Sequence, residues 1–272
     1  MGMNQKKAIF VSGGGSGIGR AIAIYFAERG WFVGLGDIDV AGMKETTALI
    51  GNGFNFSQRL DVREPDGWDI ALAAFSTAAG GRIDVLANNA GVPLGGVLSS
   101  NNADEITRCL DINLKGALFG AQAAYPHLQK TAPDSCLLNT SSAAGIYGTA
   151  GSSVYSASKF GVRAITEALD AEWFSDGIKV RSLMPSFIDT PLLKLSPNSA
   201  TNEPIETMVK QAGLEITPVI EVAQAAWNAV HGETLHTKVG KTARQMAFGS
   251  RWTPGKIRKT MRATAPPAQQ EP

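Results

Sequence analysis

Cysteine and histidine are scarce in this sequence, and neither sign of charge dominates it. Only two cysteines occur in 272 residues, Cys109 and Cys136, which excludes a scaffold held together by disulfides. They fall in segments that read as a helix and a buried strand, so two reduced, structural thiols are expected. The three histidines, His127, His231 and His236, carry no metal signature. The pair in His231-Gly-Glu-Thr-Leu-His236 is spaced so that the two rings do not share a helical face, and no third ligand follows. No metal is expected, and the histidines read as surface residues. The 25 basic side chains are balanced by 24 acidic ones, for a net charge of +1. This leaves no electrostatic footprint for nucleic acid or an anionic membrane, and neither partner is expected. Long hydrophobic runs are missing too. The basic residues of 1–7 precede only Ala8–Val11, too short for a signal-peptide core, and nothing approaches a membrane span. The expected compartment is the cytoplasm.

What is present is core material. Hydrophobic residues make up 44% and charged residues 18% of 28.6 kDa, the composition of one globular α/β domain. Short β-rich runs alternate with helix-period segments, which predicts βαβ units on a parallel sheet. The runs are Ala8–Ser12, Phe32–Gly36, Asn55–Leu60, Ile83–Asn88, Cys136–Thr140 and Lys179–Met184. A seventh short strand is expected around Lys238 and Val239. Helices are expected to begin near Gly17, Ala41, Pro65, Ala103, Ser153 and Glu221. The fold class is therefore α/β, a doubly wound parallel sheet of about seven strands with helices on both faces. Between 190 and 217 the alternation lapses, and Pro191, Pro197 and Pro204 punctuate it. This reads as an insertion of one or two small helices. A single domain is expected over 1–250, followed by a basic, Pro- and Ala-rich tail over 251–272, loosely held. In it Trp252, Ile257 and Met261 interleave with Arg251, Lys256, Arg258, Lys259 and Arg262. That pattern fits an amphipathic segment, either a flap over a neighbouring subunit or a membrane contact.

The first strand runs into Ser12-Gly13-Gly14-Gly15-Ser16-Gly17-Ile18-Gly19, and a helix follows at once. Glycines there let the backbone approach a pyrophosphate, while free N–H groups and the helix dipole favour negative charge. Gly13, Gly17 and Gly19 form G-x-x-x-G-x-G, a longer loop than G-x-G-x-x-G. The second strand ends at Asp37, about 20 residues on, where a carboxylate can accept hydrogen bonds from adenosine ribose hydroxyls and repel a 2′-phosphate. Neither Ser16 nor Ile38 offers a cation beside that ribose. NAD is the expected cofactor. Without the glycine loop upstream, Asp37 would read as an ordinary turn residue or helix cap.

Tyr155 and Lys159 lie four apart on a segment of helical pattern, so both side chains leave one face. A tyrosine has a pKa of about 10 in water, and a neighbouring ammonium favours its phenolate. Lys159 is expected to lower the Tyr155 pKa in that way. The order of motifs is then informative: the glycine loop, Asp61-Val62, Asn88-Asn89-Ala90-Gly91, Asn113, Ser142, Tyr155-x-x-x-Lys159, and Pro185 with Thr190. This set resembles the short-chain dehydrogenase/reductase family, of the type with a single Rossmann-like domain, over roughly residues 7–239.

The resemblance implies an NAD-dependent oxidoreductase. It implies that Tyr155 exchanges a proton with the substrate oxygen and that Ser142 holds that oxygen. Lys159 would bond the nicotinamide ribose, and Asn113 would position a water linking Lys159 to solvent. Ser141 competes with Ser142, and alignment along the fifth strand favours Ser142. The cofactor would meet Gly13, Gly15, Ser16, Gly17, Ile18 and Gly19 at its phosphates, and Asp37 and Ile38 at the ribose. Asp61 and Val62 would lie by the adenine, and Asn89, Ala90 and Gly91 at the end of the fourth strand. Tyr155, Lys159, Pro185, Ile188 and Thr190 would lie along the nicotinamide side. Two positions depart from the family pattern: Ser12 replaces a threonine, and Ser186 replaces a glycine, adding a side chain beside the nicotinamide.

Val92–Leu94, Ala143–Tyr147, Ser186 and the segment after Thr190 flank this centre. Pro93, Leu94, Ile146, Tyr147, Leu192 and Leu193 suggest a lipophilic alcohol or ketone substrate, or else simply pack the loops onto the core. The alternatives to the leading reading are an NADPH-dependent ketone reductase and a non-catalytic nucleotide-binding regulator. A homotetramer or homodimer is implied by resemblance, with contacts through the segments after Asp111 and Ser153. Ala157, Gly161 and Ala164 would permit close approach there, or pack onto the sheet.

Overall fold

The computed structural model describes residues 6–51 and 55–265. Part of the basic start, residues 1–5, and the Pro-Ala end, residues 266–272, lie outside the described residues. The chain opens with β1 (Ala8–Ser12), α1 (Gly17–Ala27), β2 (Phe32–Asp37), α2 (Val40–Ile50), β3 (Asn55–Arg59), α3 (Pro65–Ala78) and β4 (Val85–Asn88). It continues with α4 (Ala103–Leu110), α5 (Gly116–Thr131), β5 (Cys136–Thr140), α6 (Ser153–Glu172), β6 (Lys179–Pro185) and β7 (Phe187–Ile188). The last elements are α7 (Ile205–Gln211), β8 (Ile216–Thr217), α8 (Val219–His231), β9 (His236–Val239), α9 (Lys241–Trp252) and α10 (Pro254–Ala263).

Seven strands pair in parallel in the order β3-β2-β1-β4-β5-β6-β9. The chain thus reverses its direction of travel between β1 and β4, and ligands of such sheets bind at the carboxyl ends of the strands flanking that switch. Both faces of the sheet are covered. Ile9 and Val11 of β1 face Ile22 and Phe26 of α1 and Val222 and Ala226 of α8. Ala8 and Phe10 face Trp68, Leu72 and Phe75 of α3 and Ala121 and Leu128 of α5. Burial on two sides is why these strands read as near-continuous apolar runs. Each large side chain so buried stabilises the fold by roughly 1.5–3 kcal/mol.

Three features position the site. α4 opens with a capping box between Asn102 and Glu105, and it passes into α5 through a π-helical turn at Asp111–Lys115 that carries Asn113. Such turns widen the helix locally and re-aim side chains. The 190–217 region forms a tight turn at Pro191–Lys194 and then α7, closed by the small parallel pair β7 and β8. At the end of the chain the expectation of a loose tail from 251 is corrected. Lys241–Trp252 and Pro254–Ala263 are helices. Met246, Ile257 and Met261 pack against Ala143, Ile146 and Met184. Ile257 and Met261 are one turn apart and supply an apolar stripe that the surrounding cations hide in the sequence. Among the described residues no helix is long and apolar enough to cross a membrane.

Candidate active site

The glycine loop leaves β1 with its backbone tied to β2: the Gly13 N–H donates to the Gly36 carbonyl at 2.8 Å. Gly13 and Gly17 take positive φ, 69° and 53°, the left-handed region that glycine enters without steric cost. Gly19 is required by space instead, since a Cβ there would lie 2.1 Å from the Gly13 carbonyl oxygen. Ser16 precedes α1 in an extended conformation and its side chain makes no capping bond. The first N–H groups of α1, including those of Ile18 and Gly19, are therefore left to face an anion. Across the loop stands Thr190, whose Cβ would be 3.3 Å from a Cβ placed on Gly17.

Asp37 ends β2 and braces the loop. Its Oδ2 accepts the Gly15 N–H at 2.9 Å and its Oδ1 accepts the Asp39 N–H at 2.9 Å. The helix cap is Asp39, which accepts the Gly42 N–H at 2.9 Å, so the capping role belongs to Asp39 and not Asp37. Each Asp37 oxygen keeps a lone pair for a ribose hydroxyl. Ile38 beside it is exposed. Arg20 also reaches this loop. Its guanidinium is committed to Thr46, to the Gly15 and Gly42 carbonyls and to Glu45. Open helix end, glycines and carboxylate together fit the phosphates and adenosine ribose of a dinucleotide.

The loops after β1, β4 and β5 are stitched together. The Ser12 hydroxyl accepts the N–H groups of Asn89 and Ala90 at 3.0 and 3.1 Å, and Asn89 Nδ2 donates to the Ser12 carbonyl at 3.1 Å. Thr140 Oγ1 donates to Asn89 Oδ1 at 3.3 Å. Asn88, buried, donates to the Ala117 carbonyl at 2.7 Å. Asp61 is held by Arg63 through a 2.6 Å ion pair, and that hydrogen bond pulls its carboxyl below the usual range. Val62 packs its side chain where a Cβ on Gly116 would stand.

The polar centre lies beside this stitching. Lys159 is buried and donates from Nζ to the Thr140 carbonyl at 3.0 Å. Its Nζ is 5.7 Å from the centre of the Tyr155 ring. Gly91 leaves room for it, since a Cβ there would sit 3.4 Å from Lys159 Nζ and 3.2 Å from Asn113 Oδ1. The Ser142 hydroxyl lies beside the Tyr155 phenol and accepts the Ala144 N–H at 3.1 Å. Ser141 instead donates to the Lys159 carbonyl at 2.8 Å. The geometry thus separates the two serines: Ser142 faces the phenol and Ser141 ties β5 to α6.

Asn113 is used as a clamp. Its Oδ1 accepts the Val92 N–H at 2.8 Å and its Nδ2 donates to the Val92 carbonyl at 2.9 Å. Cys109 Sγ and Ser158 Oγ also lie near that Nδ2, at 3.4 and 3.3 Å. Cys109, Ser158 and the Thr140 carbonyl carried no signal in the sequence, because their roles depend on contacts between distant elements.

One expectation about charge is corrected. Burial pushes the Tyr155 phenol up to about 12, opposed by the Ser142 hydrogen bond, and burial pushes Lys159 down to about 8. Desolvation disfavours the charged form of each group. With the ammonium turned to the Thr140 carbonyl, its field does not bring the phenol below its ordinary value.

Other expected residues are placed as follows. Pro185 ends β6, and its carbonyl is 3.5 Å from Ser142 Oγ. Ile188 is buried in β7, and Thr190 donates to its carbonyl at 3.2 Å. Ser186 is a correction: its hydroxyl is buried without a partner and points to the space beside Gly240 and Thr217. Leu94, Ile146 and Leu193 are buried in the packing, while Val92, Pro93, Tyr147 and Leu192 stay half-buried. Gly161 packs on Leu114 within the chain, whereas Ala157 and Ala164 are exposed. His236 is not a free surface residue, for its ring bridges Ser182 at 2.8 Å and Glu167 at 2.9 Å. A groove of about 580 Å³ runs along the other side of α6, between Phe160, Tyr147 and α10, and none of Asn113, Ser142, Tyr155 and Lys159 lines it.

The sequence profile of short chain dehydrogenases matches residues 7–201. The chain belongs to this family. A short chain dehydrogenase is an oxidoreductase, and its relatives include alcohol dehydrogenases and ketoreductases. The chain is 31% identical over 186 residues to a meso-2,3-butanediol dehydrogenase of Serratia marcescens, covering 68% of this chain and 73% of that protein. It is 33% identical over 191 residues to a 3-alpha-(or 20-beta)-hydroxysteroid dehydrogenase of Mycobacterium bovis, covering 70% and 72%. Its fold matches a short chain dehydrogenase/reductase from Burkholderia phymatum in complex with NAD, with a TM-score of 0.81 over 100% of both chains at 22% identity. Other structures of like fold were solved with NADH or NADPH bound, at 24% identity to this chain.

Proposed function

We propose that this dehydrogenase transfers a hydride between NAD and a lipophilic secondary alcohol or ketone, with Tyr155 as the acid/base. The observation that carries the reading is the meeting of the Tyr155 phenol, the Ser142 hydroxyl and the buried Lys159 ammonium at the strand ends beside the open N-terminus of α1. A bound nicotinamide supplies the hydride acceptor, or in the reverse direction the hydride donor.

The protein's own groups manage the proton. In oxidation the Tyr155 phenolate takes the alcohol proton as the carbon gives up its hydride, and in reduction the phenol returns that proton to the carbonyl oxygen. Ser142 donates a hydrogen bond to the same oxygen, where charge develops in the transition state. Lys159, fixed on the Thr140 carbonyl beside the phenol, would bond the nicotinamide ribose. Asn113 fixes the backbone at Val92 and so the edge of the pocket.

NAD is preferred over NADP in this reading because Asp37 presents a carboxylate where a 2′-phosphate would lie, and Arg20 is already engaged. The half-buried Val92, Pro93, Tyr147 and Leu192 support a lipophilic substrate. The secondary alcohol class accords with the names of the butanediol and hydroxysteroid relatives. Assembly as a homotetramer or homodimer belongs to the same proposal. A panel of secondary alcohols assayed by NADH absorbance tests it. Tyr155→Phe should abolish turnover and leave NAD affinity within about twofold, and retained turnover refutes the role of Tyr155.

A further inference from the structure

The balanced charge of the whole chain conceals a local imbalance. Residues 241–265 contain seven of the 25 lysines and arginines and none of the 24 aspartates and glutamates, leaving 18 basic against 24 acidic side chains elsewhere. Lys241, Arg244 and Arg251 of α9 and Lys256, Arg258, Lys259 and Arg262 at α10 are all exposed. Among the described residues none of the seven side chains forms an ion pair, whereas Arg20, Arg63, Arg82 and Arg181 each do, although the Lys241 backbone N–H donates to Glu215 at 3.0 Å.

The same helices expose two aromatics. Phe248 is 62% and Trp252 64% exposed. At 100° per residue, Lys241, Arg244, Phe248, Arg251 and Trp252 fall within one stripe of α9, opposite buried Ala243 and Met246. The Arg251 guanidinium lies 5.1 Å from the Trp252 ring centre. α10 is amphipathic in the same sense, with Ile257 and Met261 packed inward and its cations outward. Phe and Trp flanked by uncompensated Arg and Lys on a polar helix face are the chemistry of a bilayer interface, where rings enter the headgroup layer and cations meet anionic lipid. The hairpin is anchored on Ala143, Ile146 and Tyr147, the loop that follows Ser142.

We propose that the α9–α10 hairpin docks this enzyme on an anionic lipid surface, with Phe248 and Trp252 entering the headgroup region. Docking of this kind is peripheral and salt-sensitive, and it does not depend on the hydride-transfer reading. It brings the Ser142 loop close to the surface, where a lipophilic substrate would be concentrated.

The test is flotation of the full chain with vesicles of phosphatidylglycerol and phosphatidylcholine, against vesicles of phosphatidylcholine alone. Binding to the anionic vesicles is expected, at least about tenfold weaker when salt is raised from 0.1 to 1 M and the screening length falls from about 10 to 3 Å. The double substitution Phe248→Ser with Trp252→Ser should weaken binding at least about tenfold without moving the thermal midpoint, because both side chains are exposed. Trp31, Trp68 and Trp173 are buried and Trp227 is half-buried against Phe26 and Trp31, so a blue shift of tryptophan emission on vesicle addition should come from Trp252 and vanish in Trp252→Phe. Absence of binding to anionic vesicles overturns the proposal. So does binding that is unchanged by the double substitution, which would make the cations a general polyanion site. A change of oligomeric state in the double variant without vesicle binding would assign the stripe to a second copy of the chain and overturn it as well.

Discussion

Lys159 sets its ammonium 5.7 Å from the centre of the Tyr155 ring and gives its hydrogen bond to the Thr140 carbonyl, 3.0 Å away. Two groups that must trade charge are therefore held in one desolvated pocket. Each is biased toward its neutral form, Tyr155 up to about 12 and Lys159 down to about 8. The pocket is costly to fold around a charge, and that cost has a pH signature.

Lys159 carries the first prediction. Its folded pKa, about 8, lies below the unfolded value of 10.5. Between those values the unfolded chain binds more protons, so stability rises with pH, and below about 8 the full penalty remains. Replacing Lys159 by Met removes the penalty. The variant should be more stable than wild type at pH 7, and the gap should close between pH 8 and 10 with a slope approaching about 1.4 kcal/mol per pH unit. Urea midpoints of both proteins across that range measure it, and parallel curves would contradict the buried ammonium.

The two serines separate by readout. Ser142→Ala removes the hydroxyl facing the phenol and should lower kcat by about 10²–10³ with little change in stability. Ser141→Ala leaves the Lys159 carbonyl without its 2.8 Å donor and should cost about 1–3 kcal/mol of stability while lowering kcat far less. If Ser141→Ala is the slower enzyme, the assignment is reversed.

Much of this was legible before any coordinates. The glycine spacing, Asp37 at the end of β2 and the four-residue step from Tyr155 to Lys159 each have a local cause, so a linear reading finds them. What escaped is non-local. The sign of the Tyr155 shift depends on burial contributed by α4, β5 and α6 together. Asn113 acts through Val92, and no pattern in the sequence pairs the two. The segment from 251, which holds α10, reads as a loose tail because its apolar anchors Ile257 and Met261 are diluted among cations. Their partners Ala143 and Ile146 lie a hundred residues earlier in the chain.

Asp37 should set the cofactor preference. Its carboxylate braces Gly15 at 2.9 Å, so Asp37→Ala is expected to weaken NAD binding as well as to relieve repulsion of a 2′-phosphate. The ratio of NADP to NAD dissociation constants should fall at least about tenfold, equivalent to about 1.4 kcal/mol. Titration of both cofactors by protein fluorescence measures the ratio. An unchanged ratio would remove Asp37 from the ribose site.

Ser186 and Gly240 form a coupled pair that a double-mutant cycle can expose. Gly240 has a φ of +87°, and a Cβ on it would fall 2.2 Å from Ser186 Oγ and 2.7 Å from Thr217 Oγ1. Gly240→Ala therefore meets both a backbone penalty and a clash, and should cost about 2–4 kcal/mol. Ser186→Gly removes the closer obstacle together with a buried hydroxyl that has no partner, so in that background the same substitution should cost at least about 1 kcal/mol less. Denaturation of the four proteins gives the coupling. Additive costs would mean that the Ser186 hydroxyl does not face Gly240, and would return it to the pocket side, where the sequence alone had placed it.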